Sequence, residues 1–240
     1  MNLLQIRQKV RELSGRFDLV NEDGSDNGAD FFINEGARFL DRLDETQKSW
    51  ASQFRFIEIG HIAASITQCR AIKEVWIATS SKRWQLQKIS LQELVSGYLS
   101  GLPSTRSNGL PDYFSPGISR YVPEDATADT FEAFIGFVEI PSGNPLAYNT
   151  IILNTPVSEK VMLEVKGLFY SHKLSADTDE NYWSSQHPLL LIQSTMRYLE
   201  VVNRNTQGVN DWTNSILTDM KQLGMDLVEE IIAEVTQIEG

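Results

Sequence analysis

The chain has 240 residues, of which 41% are hydrophobic and 10% aromatic, and its formal net charge is −11 at pH 7. This length is enough for one large domain or two small domains with real cores. The excess of carboxylates argues against a protein that grips nucleic acid through its phosphates, since that task needs clustered Lys and Arg. No run of about 18 apolar residues occurs, so the sequence predicts no transmembrane helix.

Two features bear on the compartment. The N-terminal stretch MNLLQIRQKVRELSG has neither the apolar segment nor the small-residue cleavage site of a signal peptide, so we expect a protein made and kept in a cytoplasm. The single cysteine, Cys69, excludes an internal disulfide and a cysteine-based zinc site. Its apolar, strand-like surroundings predict an inert core residue.

Two amphipathic helices are predicted before residue 50. The first covers residues 2–14 and ends at Gly15. Its apolar face consists of Leu3, Ile6, Val10 and Leu13. The second covers residues 29–44, with Asp26 or Asn27 as its cap and the small Gly36 in its middle, where another helix can pack closely. Trp50 ends this helical section.

The middle of the chain has the composition of β-strands. Strands are predicted from residue 54, over Cys69–Thr79, over Arg83–Gln87, and over 131–140, 148–154 and 160–170. Ser90 and Glu93 have the spacing of a capping box and predict a short helix. The Gly-, Pro- and Ser-rich residues 100–130 are predicted to be mostly loop.

Helical periodicity returns at Pro188, a good first-turn residue. This third helix has an apolar face made of Leu191, Ile192, Met196, Leu199 and Val202. After a turn over residues 203–211, a fourth helix is predicted from Trp212 to Ile238. Its apolar stripe, at spacings of three and four residues, is Ile216, Met220, Leu223, Leu227, Ile231, Val235 and Ile238. Such a stripe must be buried against another surface.

Helices at both ends and strands in the middle predict an α+β fold. The simplest arrangement is an antiparallel helical bundle formed by the N- and C-terminal helices, residues 1–50 and 185–240, with an inserted β-rich module at residues 51–184.

The sequence carries no catalytic signature. It has no Walker loop, no GxGxxG after a strand, no HExxH and no GxSxG, and its three histidines have no metal-ligand spacing. We therefore predict no catalytic residue, no metal and no cofactor. The acidic turn with Asp177, Asp179 and Glu180 could supply paired carboxylates, but its composition is typical of an exposed turn. This absence favours a structural or interaction protein.

One series of segments, in this order, resembles the head-to-tail adaptor (connector or neck) proteins of tailed bacteriophages. The series is Ile33-Asn34-Glu35-Gly36, Lys73-Glu74-Val75-Trp76, the segment from Trp84 to Leu94, Gly109-Leu110-Pro111-Asp112-Tyr113-Phe114, Leu163–Tyr170, Lys173-Leu174-Ser175 and Asn181–Pro188. The resemblance covers nearly the whole chain, and its specificity lies in the order and spacing. Residues 115–150 are longer here than in the family, which leaves the detail of the β-rich module open.

The resemblance implies a structural virion protein and no enzyme. Such a protein forms a ring, typically of twelve copies, on the portal at the head–tail junction. The implied partners are the portal protein, neighbouring copies of the chain and tail or further neck proteins, with DNA passing through the channel without sequence-specific binding and no contact with a membrane. The candidate portal or subunit contacts are Gly109, Pro111, Tyr113, Phe114, Leu227, Glu230, Ile231, Glu234, Val235 and Ile238.

Two other functions stay open at the level of sequence. One is a virion-associated cell-wall glycosidase that uses the carboxylates near residues 177–180, which requires one carboxyl with a raised pKa. The other is a tail-completion or tail-terminator protein, which differs from an adaptor only in its partner.

Overall fold

The computed structural model describes residues 1–44, 50–101, 106–117 and 149–223. Over these residues the chain is α+β, with six helices and two four-stranded sheets. It divides into a helical unit, Met1–Ser49 with Tyr170–Gly240, and a β unit, Trp50–Phe169. This division assigns residues 170–184 to the helical unit.

The helices lie at both ends of the chain, with one exception in the middle. In chain order they are α1 (Leu3–Ser14), α2 (Ala29–Leu43), α3 (Leu91–Tyr98), α4 (Tyr182–Gln186), α5 (Pro188–Val202) and α6 (Thr206–Leu223). In the helical unit, α5 packs against α1, α2 and α6. The short α4 was not predicted from the sequence.

Helix α1 begins and ends as the sequence predicts. Asn2 and Gln5 form a reciprocal capping box, and Gly15 closes the helix with a left-handed φ of 65°. Leu3, Ile6 and Val10 are buried, but Leu13 is exposed. The apolar stripe therefore continues one turn further along the sequence than the core that covers it.

The small residue in α2 is required by its neighbour. A Cβ atom at Gly36 would lie 2.7 Å from Ser194 Oγ and 3.1 Å from the backbone nitrogen of Thr195, both in α5. The sequence-based expectation of close helix packing at Gly36 is thus confirmed. At the start of α2, Gly28 holds the N-cap position, and the Asp26 carboxylate accepts from the N–H groups of Gly28 and Asp30.

Asn34 joins α2 to a segment 140 residues away. Its amide nitrogen donates to the carbonyl of Leu174 at 2.9 Å, and its amide oxygen accepts from the Leu174 N–H at 2.9 Å. This reciprocal pair satisfies both backbone groups of a fully buried residue.

Asp41 makes a second joint inside the helical unit. Its carboxylate accepts from Trp183 Nε1 at 2.7 Å, from the Ser171 hydroxyl at 2.7 Å and from the Ser171 N–H at 2.8 Å. Trp183 is buried, and Asp41 is 7% exposed. A buried carboxylate is stable only when it is satisfied in this way.

The C-terminal helices differ from the prediction in two places. Val202, predicted on the buried face of α5, is exposed, because it is the last residue of the helix. Helix α6 begins at Thr206, so residues 206–211 are helical and not a turn. Ile216 is buried. The predicted continuation from residue 224 to Ile238 lies outside the described residues.

The strands of the β unit are β1 (Trp50–Ile57), β2 (Ala63–Ile66), β3 (Cys69–Ala78), β4 (Arg83–Gln85), β5 (Gln87–Lys88), β6 (Tyr113–Pro116), β7 (Asn149–Leu153) and β8 (Val161–Phe169). One sheet has the order β1-β8-β3-β4 and is antiparallel throughout. The other has the order β2-β7-β6-β5. Trp50 therefore begins the β unit.

The two sheets share one apolar core. It includes Val75, Leu163 and Val165 of the first sheet and Phe114 and Ile151 of the second. The predicted strand at Arg83–Gln87 is divided by the buried Leu86, whose N–H donates to the Val75 carbonyl. At that point the chain passes from one sheet to the other, as at the corners of many sandwiches.

The β unit contains some of the predicted strands and the predicted short helix, and it contains two strands that were not predicted. The strands near 69–79, 148–154 and 160–170 are confirmed as β3, β7 and β8, and Ser90 Oγ accepts from the Glu93 N–H at the start of α3. Strand β2 was missed, and β6 lies within the stretch predicted to be mostly loop. The predicted strand at 131–140 lies outside the described residues.

Candidate subunit and portal contact surfaces

The segment Gly109–Phe114, predicted as a contact loop, is a fixed part of the β unit. Gly109 forms a parallel bridge with Val157. Its N–H donates to the Pro156 carbonyl at 2.8 Å, and its carbonyl accepts from the Ser158 N–H at 2.9 Å. The loop is thus anchored to the backbone between β7 and β8.

Two side chains hold the rest of this loop. Trp84 Nε1 donates to the Pro111 carbonyl at 2.9 Å. Asn154 Oδ1 accepts from the N–H groups of Asp112 and Tyr113, each at 3.1 Å. These hydrogen bonds pair backbone groups of the loop and thereby stabilise its conformation.

The loop offers only part of itself to a partner. Pro111 and Phe114 are buried, and Phe114 is only 2% exposed because its ring fills the core. Tyr113 is half-buried, with its ring 5.5 Å from that of Tyr98. Gly109 is half-buried and has no side chain, so Tyr113 has the accessible side chain among the four predicted contact residues of the loop.

The other predicted contact residues come from the C-terminal stretch. They lie outside the described residues, and they are Leu227, Glu230, Ile231, Glu234, Val235 and Ile238.

The sequence did not identify a surface on the outer side of the first sheet, which we call the aromatic face. Directly paired residues of antiparallel strands point to the same side. The register places Phe54 beside Glu164 and Glu164 beside Trp76, with Phe56 beside Met162 in the next row. The rings of Phe54 and Phe56 are 58% and 63% exposed. The i, i+2 spacing of these phenylalanines was the one signal in the sequence.

Cations cover part of this face. The Arg83 guanidinium lies 4.7 Å from the Trp76 ring centroid and forms an ion pair with the nearly buried Glu164 carboxylate. Lys160 lies 5.2 Å from the Phe56 ring centroid and pairs with Glu58 at 2.5 Å. These are cation–π contacts on a sheet surface.

Lys82 and Arg83 are both exposed, and each lies against an aromatic ring. Lys82 lies 4.6 Å from the Trp84 ring centroid, and Arg83 lies on Trp76. The two residues are neighbours in the chain but lie on opposite sides of the sheet, because side chains alternate along a strand.

The acidic turn considered for glycosidase chemistry has structural partners. Arg7 is buried and binds Asp30 through Nε at 2.6 Å and Nη2 at 2.8 Å, and Asp177 through Nη1 at 2.5 Å. These bonds, above all those to Asp30, raise the pKa of Arg7. Glu180 accepts from the Ser185 hydroxyl at 2.9 Å.

Asp179 closes the turn itself. Its Oδ2 accepts from the N–H groups of Ala176 at 2.8 Å and Ser175 at 2.9 Å. These backbone hydrogen bonds lower the pKa of Asp179, since they stabilise its charged form. A general acid needs the opposite shift.

Among the described residues, 1–44, 50–101, 106–117 and 149–223, the histidines and the cysteine belong to no group of three or more His, Cys, Asp or Glu side chains that could hold a metal ion. His187 lies beside Tyr182, with Nε2 at 3.3 Å from the hydroxyl. Burial raises the pKa of the Cys69 thiol to about 11, as expected for an inert core residue.

An open groove of about 420 Å³ lies beside the point where the chain changes sheets. The residues that line it are Lys73, Glu74, Gln85, Leu86, Gln87, Lys88 and Phe114.

No family model matches the chain. In the part of the chain that the structure describes, every helix is too short or too polar to cross a membrane.

Proposed function

We propose that this chain is a structural protein of a tailed-bacteriophage virion, a head-to-tail adaptor. Copies of the chain form a ring on the portal vertex, extend the DNA channel and provide the surface to which the tail attaches. The N- and C-terminal helices form an antiparallel bundle, and the β-rich module is inserted between its two halves.

The observation that carries the proposal concerns three of the segments on which the resemblance rests. They are Ile33–Gly36, Lys173–Ser175 and Asn181–Pro188, and each makes a structural contact in the helical unit. Asn34 pairs with Leu174, and Gly36 lets α2 and α5 approach closely. Trp183 donates to Asp41. These three segments join parts of the helical unit that are far apart in sequence, and this supports a protein whose task is to hold a shape.

The distribution of charge supports the same function. A net charge of −11 disfavours contacts with DNA phosphates, so DNA can pass through a channel without being held. The carboxylates at 177–180 bind Arg7, Ser185 and backbone N–H groups, which favours the structural function over the glycosidase alternative.

The proposal defines the partners and the place of assembly. The chain is made in the host cytoplasm and ends in the virion at the head–tail junction. Its partners are the portal protein, neighbouring copies of itself and tail or further neck proteins. It contacts no membrane and needs no cofactor.

Sedimentation velocity of the purified chain, alone and mixed with the portal ring of the same phage, tests this function. We expect a free monomer of 27.1 kDa that joins the portal in many copies. A chain that never co-sediments with the portal overturns the adaptor function. A peptidoglycan zymogram tests the glycosidase alternative, and a cleared band would reject a purely structural role.

Deletion of residues 225–240 tests the predicted portal contact. The truncated chain should stay soluble and lose portal binding. Two full-length variants separate the contributions of the stripe and of the charges: Leu227, Ile231 and Val235 changed to serine, and Glu230 and Glu234 changed to glutamine. We expect the first to abolish binding and the second to weaken it; normal binding by the truncated chain would reject this contact.

A further inference from the structure

The first sheet ends in two strands that have no further strand beside them among the described residues. These are β1 and β4, at opposite edges of the order β1-β8-β3-β4. Edge strands expose unpaired N–H and C=O groups and readily pair with another chain. The edge at β1 is eight residues long and carries the exposed Phe54 and Phe56.

The directions of the strands make the two edges compatible. All three strand pairs in the sheet are antiparallel. A sheet of four alternating strands ends in strands of opposite direction, so β4 of one copy placed beside β1 of the next continues the antiparallel order. Such a head-to-tail contact uses two different surfaces and can close into a ring.

Side chains at the two edges also point to the same side of the sheet, the aromatic face. The register connects Phe56, Met162, Ala78 and Arg83 in one row and Phe54, Glu164, Trp76 and Gln85 in the next. These side chains share the aromatic face. A continued sheet that keeps the aromatic face on one side places Arg83 of one copy beside Phe56 of the next, and Gln85 beside Phe54.

The charges are complementary in this register. Glu58 follows β1 directly, and antiparallel alignment brings it diagonally next to Arg83 of the adjoining copy, within reach of a long side chain. Glu58 is exposed, and its partner Lys160 is exposed as well, so that pair is easily exchanged. The Arg83 side chain is half exposed although it binds Glu164. This attraction acts locally against the repulsion between two chains that each carry a net charge of −11.

We infer that neighbouring copies of the chain join through these edges, with β1 of one copy antiparallel to β4 of the next. This inference rests on the proposed ring and names the surface that closes it. The partner is a second copy of the chain, and the contact has a backbone ladder, the rings of Phe54 and Phe56, and the pair Glu58–Arg83.

A cysteine ladder tests the register. In the double variant Phe54→Cys/Gln85→Cys, the new thiols of adjoining copies would face each other with Cβ atoms about 5 Å apart. Within one copy they are three strand spacings, or about 14 Å, apart, so every disulfide must join two chains. Cys69 does not interfere, because it is buried. The control is Phe54→Cys/Lys73→Cys, since Lys73 is exposed but lies in the interior strand β3.

Oxidation should give the Phe54→Cys/Gln85→Cys chain a ladder of dimers, trimers and larger species, on the portal and at high concentration without it. The control should give dimers at most. Phe56→Lys, which places a cation beside Arg83 of the adjoining copy, should prevent ring formation. Leu189→Lys, at an equally exposed apolar residue in the helical unit, should not.

The outcomes separate this inference from the adaptor function. If the wild-type chain forms its ring on the portal, while the ladder is absent and Phe56→Lys assembles normally, the edge contact is wrong and the adaptor function stands. If the wild-type chain ignores the portal but the free double-cysteine chain forms the ladder, the edge contact stands and the adaptor function fails. If the wild-type chain ignores the portal and the free double-cysteine chain forms no ladder, both the edge contact and the adaptor function are wrong.

Discussion

The helical unit and the β unit use polar side chains in different ways. In the helical unit, the buried Arg7 and Asp41 and the half-buried Asn34 connect segments that are far apart in the chain. In the β unit the core is apolar, and Arg83 and Lys160 lie on the outer surface against aromatic rings. Buried polar contacts fix one arrangement because an unpaired member is costly. Both cations are also ion-paired, Arg83 with Glu164 and Lys160 with Glu58, but their side chains are about half exposed and stay within reach of a partner.

The largest difference in the free energy of unfolding should be between a substitution in the core of the β unit and one on its surface. Phe114→Ala removes a ring that is 2% exposed and should lower the free energy of unfolding by about 4 kcal/mol. Phe56→Ala removes an exposed ring and should change it by less than about 0.5 kcal/mol. Hydrogen exchange of peptides from the β unit in increasing urea measures both. Equal losses would contradict the division into core and surface.

The second-largest effect should come from removing a buried polar contact of the helical unit. Asp41→Ala leaves Trp183 Nε1 and both donors of Ser171 without their acceptor, so we expect a loss of about 3 kcal/mol. Urea-dependent hydrogen exchange of α2 and α5 peptides measures the loss. Asp211→Ala, at an exposed carboxylate in α6, is the matched control and should be nearly neutral. If Asp41→Ala is also neutral, the joint does not stabilise the helical unit.

A pair of glycine substitutions should have opposite signs. Gly36→Ala places a methyl group against Ser194 and Thr195 and should cost about 1–2 kcal/mol, even after the gain in helix propensity. Gly97→Ala, in α3, meets nothing within 4 Å and should stabilise the β unit by about 0.5–1 kcal/mol. Thermal unfolding of each variant measures the sign. A stabilising Gly36→Ala would mean that α2 and α5 pack less closely than described.

The smallest effect concerns acid and the turn at residues 175–180. The pKa of Asp179 is lowered in the folded chain, below the value of about 3.9 in an unfolded chain. Its contribution to stability is therefore present above that value and lost as the pH falls through the folded pKa. Asp179→Asn should be less stable than the wild type near pH 6 and equal to it in strong acid. An NMR titration of the carboxyl and unfolding curves at several pH values check this; a pH-independent difference would contradict it.

The candidate contact surfaces could be predicted only partly from the sequence. The segment Gly109–Phe114 could be selected, but its pattern does not reveal that Phe114 fills the core while Tyr113 stays half exposed. The aromatic face was missed, because it combines Phe54, Trp76 and Arg83 from three strands. Local spacing describes one strand at a time and carries no information on which strands become neighbours.

By itself, the sequence determined the periodic elements: α1, α2 and α5, strands β3, β7 and β8, and the small residue that α2 needs at Gly36. These follow from contacts within a few residues or from a local apolar period. Only the tertiary structure decided that the chain changes sheets at Leu86, that Asp41 accepts a hydrogen bond from Trp183, and that the Arg83 guanidinium lies against the Trp76 ring. Each of these depends on how the elements pack or pair in three dimensions, which no local pattern encodes.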